Sequence, residues 1–298
     1  MKILLATDGS EYSEEAAKFL TCLNLTPEDE ITVFHTVSWV PFLYDEDSYC
    51  SALKEIKKEI APKVLDAALK ILYPVQAKVS AAILDGSPEE YIVDIAAEYD
   101  VDLIVMGARG IKGIKTLFVG SVTRVVAGRS SKPVLIVRAP AVKKKGGMKI
   151  LFATDGSGYS MATGAFLASI PFAEDTELTA LNVMWSQYSD IPERFSLEVN
   201  ERMKDLVARA REIEFARSEE ILKEAQGLLS NRFRQIKILS QIGDPSEQIL
   251  KTAESFNADL IVVGCRGLKG IKGIMGSVSK NIVTHAKCSV LIGKTCTD

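Results

Sequence analysis

The stretch Met1–Tyr12, MKILLATDGSEY, recurs 147 residues further along as Met148–Tyr159, MKILFATDGSGY, identical at ten of twelve positions. A second block repeats as well. Asp102–Lys115, DLIVMGARGIKGIK, returns as Asp259–Lys272, DLIVVGCRGLKGIK, identical at eleven of fourteen positions but 157 residues on. Self-similarity of this kind marks a duplicated structural unit. The chain therefore reads as two copies of one domain, with ten extra residues between the blocks of the second copy. Its 298 residues exceed an ordinary single core and suit two domains of common size.

Each copy alternates strands with helices. In the first, strands are predicted at Lys2–Thr7, Glu30–Val37, Lys78–Leu84, Asp102–Met106 and Pro133–Arg138. Helices are predicted at Glu14–Leu23, over a Leu53, Ile56, Ile60 face that continues past Pro62 to Leu72, at Pro88–Glu98 and at Val122–Gly128. Strands separated by helices pair in parallel through right-handed crossovers, which makes each copy a five-stranded doubly wound α/β domain. The second copy repeats this with strands at Lys149–Thr154, Glu177–Val183, Gln235–Gln241, Asp259–Val263 and Ser289–Ile292. Its extra residues fall in a long charged helix, Ser196–Leu229, read as solvated and packed along one face. Ala139–Gly147, APAVKKKGG, has no apolar face to bury and reads as an exposed linker. The domains are accordingly 1–139 and 148–298, joined by 140–147.

Composition narrows the function classes. A net charge of −3 argues against a broad nucleic-acid-binding surface, and no apolar run approaches the roughly 18 residues of a membrane span. The chain opens directly on a strand, which leaves no room for a signal peptide and gives a cytoplasmic expectation. Five scattered cysteines without a C-x-x-C pair fit reduced, packed thiols. Two histidines supply little material for histidine catalysis or a histidine metal site.

The chemistry is concentrated in Asp102–Arg124. A buried strand there breaks into Gly107, Gly110 and Gly113 and gives way at Gly120-Ser121 to a helix start. Glycine lets backbone approach a ligand, and the first helical turn offers unpaired N–H groups at the positive end of its dipole, so the loop reads as a phosphate cradle. Ser121 would give a hydroxyl and N–H to phosphate, and Arg109 and Lys112 positive charge. Ligands of open parallel sheets sit beyond the carboxyl ends of the strands, which brings in the first loop, Thr7-Asp8-Gly9-Ser10. Asp8 has two compatible readings: with Ser10 and Ser13 it caps the next helix, or it accepts ribose or base hydrogen bonds. Neither a P-loop nor a G-x-G-x-x-G fingerprint occurs.

Gly107-x-x-Gly110, nine residues, then Gly120-Ser121 resembles the ATP-binding signature of the universal stress protein family. The Thr7-Asp8-Gly9-Ser10 loop and the turns Gly86-Ser87-Pro88 and Gly243-Asp244-Pro245 are similar to that family's own, and the resemblance covers nearly the whole chain, twice. It implies strand order 3-2-1-4-5 and a non-enzymatic stress-response regulator binding ATP or AMP, with magnesium a possible companion of ATP. By motif position, Asp8 would meet the nucleoside, Thr36 would offer backbone to adenine, and Met106 and Gly107 would line the base and ribose, with Ala6 also among the binding residues. Arg109, Gly110, Gly120, Ser121 and Val122 would surround the phosphates. In the second copy Asp155, Val183, Val263, Gly264, Arg266, Gly267, Gly276, Ser277 and Val278 match, although the loop between Gly267 and Gly276 is one residue short. The family resemblance also implies pairing through the fifth strands, Val134–Val137 beside Val290–Ile292 within one chain, and leaves a homodimer open. Slow ATP hydrolysis, with Asp8 or Asp155 positioning a metal, and a nucleotide-free scaffold using the Ser196–Leu229 helix are the alternatives.

Overall fold

A computed structural model describes residues 1–38, 48–110, 119–138, 140, 147–185, 201–266 and 275–294. Two α/β units share one ten-stranded sheet. In the first, the strands are β1 (Lys2–Ala6), β2 (Glu30–Ser38), β3 (Lys78–Gly86), β4 (Leu103–Gly107) and β5 (Val134–Val137). The helices are α1 (Glu11–Leu20), α2 (Ser48–Leu72), α3 (Pro88–Glu98) and α4 (Ser121–Arg129). The second has β6 (Lys149–Ala153), β7 (Glu177–Met184), β8 (Gln235–Ile242), β9 (Leu260–Gly264) and β10 (Ser289–Gly293). Its described helices are α5 (Gly158–Ser169), α6 (Glu201–Leu229), α7 (Pro245–Phe256) and α8 (Ser277–His285).

The strand order β3-β2-β1-β4-β5-β10-β9-β6-β7-β8 is 3-2-1-4-5 read outward-in for each unit, the order that the family resemblance implies. All pairs are parallel but one. Where the units meet, β5 and β10 run antiparallel, with Leu135 opposite Leu291. The strands at the centre read as unbroken apolar runs because both their faces are covered: β4 is buried at all five positions and β10 likewise. One face of the sheet carries α1, α2, α5 and α6, and its core holds Phe19, Leu65, Phe152 and Leu229. The opposite core holds Phe34, Ile95, Val126, Ile249 and Ile282 under α3, α4, α7 and α8. Each core draws residues from both units, so each face of the sheet carries one core that runs across the unit boundary.

Two helices depart from expectation. The first begins at Glu11 rather than Glu14, because Ser10 caps it and Glu11 and Glu14 suit the positive end of its dipole. In α2 the buried residues are Ala61, Leu65, Ala68 and Leu72, spaced for one helical face. Ile56 and Ile60, expected on that face, are 50% and 48% exposed. The fully buried residues of this 25-residue helix, among those described, all fall in its second half, while the first half meets the strand ends through Lys57 on Ser38 and Lys54 and Lys58 on Asp85. In α6, Ser218, Leu222, Ala225 and Leu229 are buried while Leu206 and Ile213 are exposed, so one side is packed and the rest solvated. Most of the linker lies outside the described residues, as do 196–200 at the start of the expected long helix.

Candidate functional site

At the carboxyl end of β1 the chain turns sharply into α1. Gly9 has φ +77°, a left-handed conformation that costs glycine nothing. Ser10 is the helix cap: its Oγ accepts from the Ser13 amide at 3.3 Å. Asp8 steadies the cap, its Oδ1 accepting from the Ser10 amide at 3.0 Å and the Ser10 hydroxyl at 2.6 Å. Of the two compatible readings of Asp8, the capping one therefore takes the form of support to Ser10. The second unit repeats each bond, with Asp155 accepting from Ser157 at 3.0 and 2.6 Å and Ser157 accepting from Ser160 at 3.2 Å.

The fourth strand brings the glycine loop beside this turn. Ala6 faces Met106 across the β1–β4 ladder, and Ala153 faces Val263 in the second unit. A Cβ at Gly107 would lie 2.7 Å from the Tyr12 backbone, so glycine allows α1 to sit against the strand end. A Cβ at Gly110 would lie 2.3 Å from Asp8 Oδ2. The two loops thus touch because residue 110 has no side chain. Arg109 lies over the Tyr12 ring, 5.5 Å from its centroid, and donates to the tyrosine hydroxyl at 3.3 Å. Arg266 and Tyr159 repeat the arrangement at 5.4 and 3.4 Å. The tyrosines belong to the repeated opening block, which is the signal that could have marked them; their partners become visible only in three dimensions.

The helix after the loop is tied back to the strand. The Gly120 amide donates to Ala108 O at 2.8 Å and Thr123 Oγ1 to Gly107 O at 2.9 Å. Gly276 donates to Cys265 O at 2.8 Å, and Ser279 Oγ to Gly264 O at 2.6 Å. Both helices begin with glycine as cap, no side-chain cap bond and no acid in the first turn. The other helix starts with a described cap differ: α1, α5 and α7 have side-chain caps from Ser10, Ser157 and Asp244, and α3 has Glu89 and Glu90 in its first turn. Among the described residues no side chain caps the first-turn amides of α4 and α8, at Ser121-Val122 and Ser277-Val278.

Two further polar atoms point the same way. Thr36 Oγ1 and Arg266 Nε are buried with no hydrogen-bond partner among the described residues. Thr36 stands near the end of β2, two residues beyond Phe34, the partner of Ala6. Its counterpart Val183 has no such hydroxyl. His35 was not singled out by sequence reasoning, yet its Nδ1 lies 2.8 Å from Thr7 O, where Asn182 Nδ2 donates to Thr154 O at 2.8 Å in the second unit. Gly267 and Lys112, both expected at the site, lie outside the described residues.

Arginines, uncapped helix amides and glycines at close approach fit an anionic group with a polar body attached. A cavity of about 680 Å³ at the ends of β2 and β3 does not, because Asp85, Glu89, Glu90 and Asp94 line it and would repel phosphate. Lys54 and Lys58 already pair there with Asp85.

Residues 1–138 and again 148–294 match the model of the Universal stress protein family. The chain belongs to this family. It is a tandem member, since the match occurs twice. A universal stress protein of Methanocaldococcus jannaschii is 33% identical over 47% of this chain and 82% of its own length. The universal stress protein YxiE of Bacillus subtilis is 32% identical over 46% of this chain and 98% of its own. Among solved structures, a universal stress protein from Archaeoglobus fulgidus covers 98% of this chain and 96% of its own, at 23% identity and a TM-score of 0.63, a likeness of fold. Among the described residues, no helix of this family member is long and apolar enough to cross a membrane.

Proposed function

We propose that this universal stress protein is a non-enzymatic regulator that holds one adenine nucleotide, ATP or AMP, in a crevice of each domain. The observation that carries the reading is the pair of helix starts at Gly120 and Gly276, with neither cap nor acid in the first turn, each placed after a glycine loop beside an arginine. In the first crevice the phosphates lie against the Ser121 and Val122 amides with Arg109 alongside, Asp8 meets the ribose, and Ala6, Thr36, Met106 and Gly107 border the base. Asp155, Val183, Val263, Gly264, Arg266, Gly267, Gly276, Ser277 and Val278 do the same in the second. Magnesium accompanies ATP when ATP is bound.

The domains are 1–139 and 148–298, and the β5–β10 ladder is the intramolecular counterpart of a dimer between single-domain relatives. The cytoplasm is the proposed location. Equilibrium dialysis with ATP and AMP tests the reading. Two nucleotides per chain are expected, falling to one in Gly110→Val, whose side chain would collide with Asp8; no binding to the intact chain ends the proposal.

A further inference from the structure

Each central strand is followed by a cation that crosses into the other domain. Arg138, only 7% exposed, donates from Nη2 to the carbonyl of Val283 at 2.7 Å and to that of Thr284 at 3.4 Å, in the last turn of α8. Lys294, at the matching position after β10, donates from Nζ to Gly128 O at 3.5 Å, in the last turn of α4. Gly128 and Thr284 themselves match at the same offset, 156, as Arg138 and Lys294. The contact is reciprocal and obeys the approximate twofold relation set by the antiparallel β5–β10 pair.

The last carbonyls of a helix have no donor within it, and a cation there also opposes the negative end of the dipole. Holding Arg138 in this position is costly. Burial, and then the like charge of Arg109, push its pKa below the ordinary value, and its Nε has no hydrogen-bond partner among the described residues. An apolar side chain of similar volume would avoid that cost but could not bridge to α8. At their opposite ends the helices so gripped carry amides with neither a side-chain cap nor a first-turn acid. Each spans nine residues, about 14 Å, so a tether at one end constrains the aim of the other.

We propose that Arg138 and Lys294 are positioning residues acting across the domain boundary. Arg138 holds α8 and thereby the Ser277 and Val278 amides of the second crevice. Lys294 holds α4 and the Ser121 and Val122 amides of the first. The effect on ligand affinity rests on the nucleotide reading above; the hold on the helices does not.

Hydrogen exchange of the full chain without nucleotide tests the hold. Arg138→Met speeds exchange within 277–285 about ten-fold and leaves 121–129 unchanged. Lys294→Met, at a half-buried position, speeds 121–129 about three-fold and leaves 277–285 unchanged. This second variant decides the matter should Arg138→Met fail to fold. Equilibrium dialysis with ATP in a Gly110→Val background, which isolates the second crevice, then shows binding about five-fold weaker on adding Arg138→Met, with most of it restored by Arg138→Lys. Exchange that rises equally in both helices, or in neither, overturns the proposal. So does an unmoved affinity once α8 has loosened. If ATP binds neither crevice of the intact chain, the nucleotide reading fails and the crossed exchange pattern alone decides whether the cations hold the helices.

Discussion

The two crevices agree where backbone is set and differ where a base would be read. Asp8, Ser10, Ser13, Tyr12 and Arg109 are matched by Asp155, Ser157, Ser160, Tyr159 and Arg266, with hydrogen bonds equal to within 0.1 Å around each aspartate. At the end of the second strand His35-Thr36 becomes Asn182-Val183, and the glycine loop loses one residue. A difference at the chain start has a plain physical cause. Asp29 receives the Met1 ammonium and two bonds from Thr26. In the second domain Met148 is inside the chain and has no ammonium, and the residue matching Asp29 is Thr176, whose hydroxyl has no partner among the described residues. Beside Thr176, Asp175 instead accepts from the Gly147 amide at 2.6 Å.

The most severe test of this comparison removes each carboxylate in turn. Asp8→Ala and Asp155→Ala each weaken nucleotide binding at one crevice about 10- to 100-fold, the range for losing hydrogen bonds to a charged group. Titration calorimetry on each variant should show one of two sites weakened by that factor, and a weakening confined to Asp8→Ala would mean that the domains have diverged in function. A smaller effect separates the chain starts. Burial raises the Asp29 carboxyl, but the Met1 ammonium and Thr26 outweigh it and hold it below the ordinary carboxylate range. A depressed folded-state pKa gives stability that is present above about pH 4 and lost as pH falls below it. Asp29→Asn should cost about 1–2 kcal/mol in urea unfolding at pH 7 and progressively less toward pH 3; a constant difference would contradict the assignment. The mildest change installs the second domain's residue in the first. His35→Asn preserves a donor to the Thr7 carbonyl, so stability should move by no more than about 0.5 kcal/mol in the same assay.

The strands, the helices and the duplicated loops were legible because each rests on local pattern: apolar runs for central strands, Gly-Ser at a helix start, identical blocks at fixed offsets; the strand order came from the family resemblance. The face of α2 was not. Ile56 and Ile60 continue the helical spacing, and nothing local says that burial begins only at Ala61. The stacks of Arg109 on Tyr12 and Arg266 on Tyr159 join residues about a hundred apart, so sequence alone shows the repetition of each partner but not their meeting. Arg138 and Lys294 are further still from view. Their roles depend on the antiparallel register of β5 and β10, which a search for parallel βαβ units does not supply.

A crystal structure of the full chain grown with excess ATP tests the central claim most directly. Phosphate density within hydrogen-bond reach of the Ser121 and Val122 amides beside Arg109, and again at Ser277 and Val278 beside Arg266, is the predicted result. Saturating nucleotide with no density at either helix start, or bound instead along the acidic cleft at Asp85 and Glu89, would contradict it.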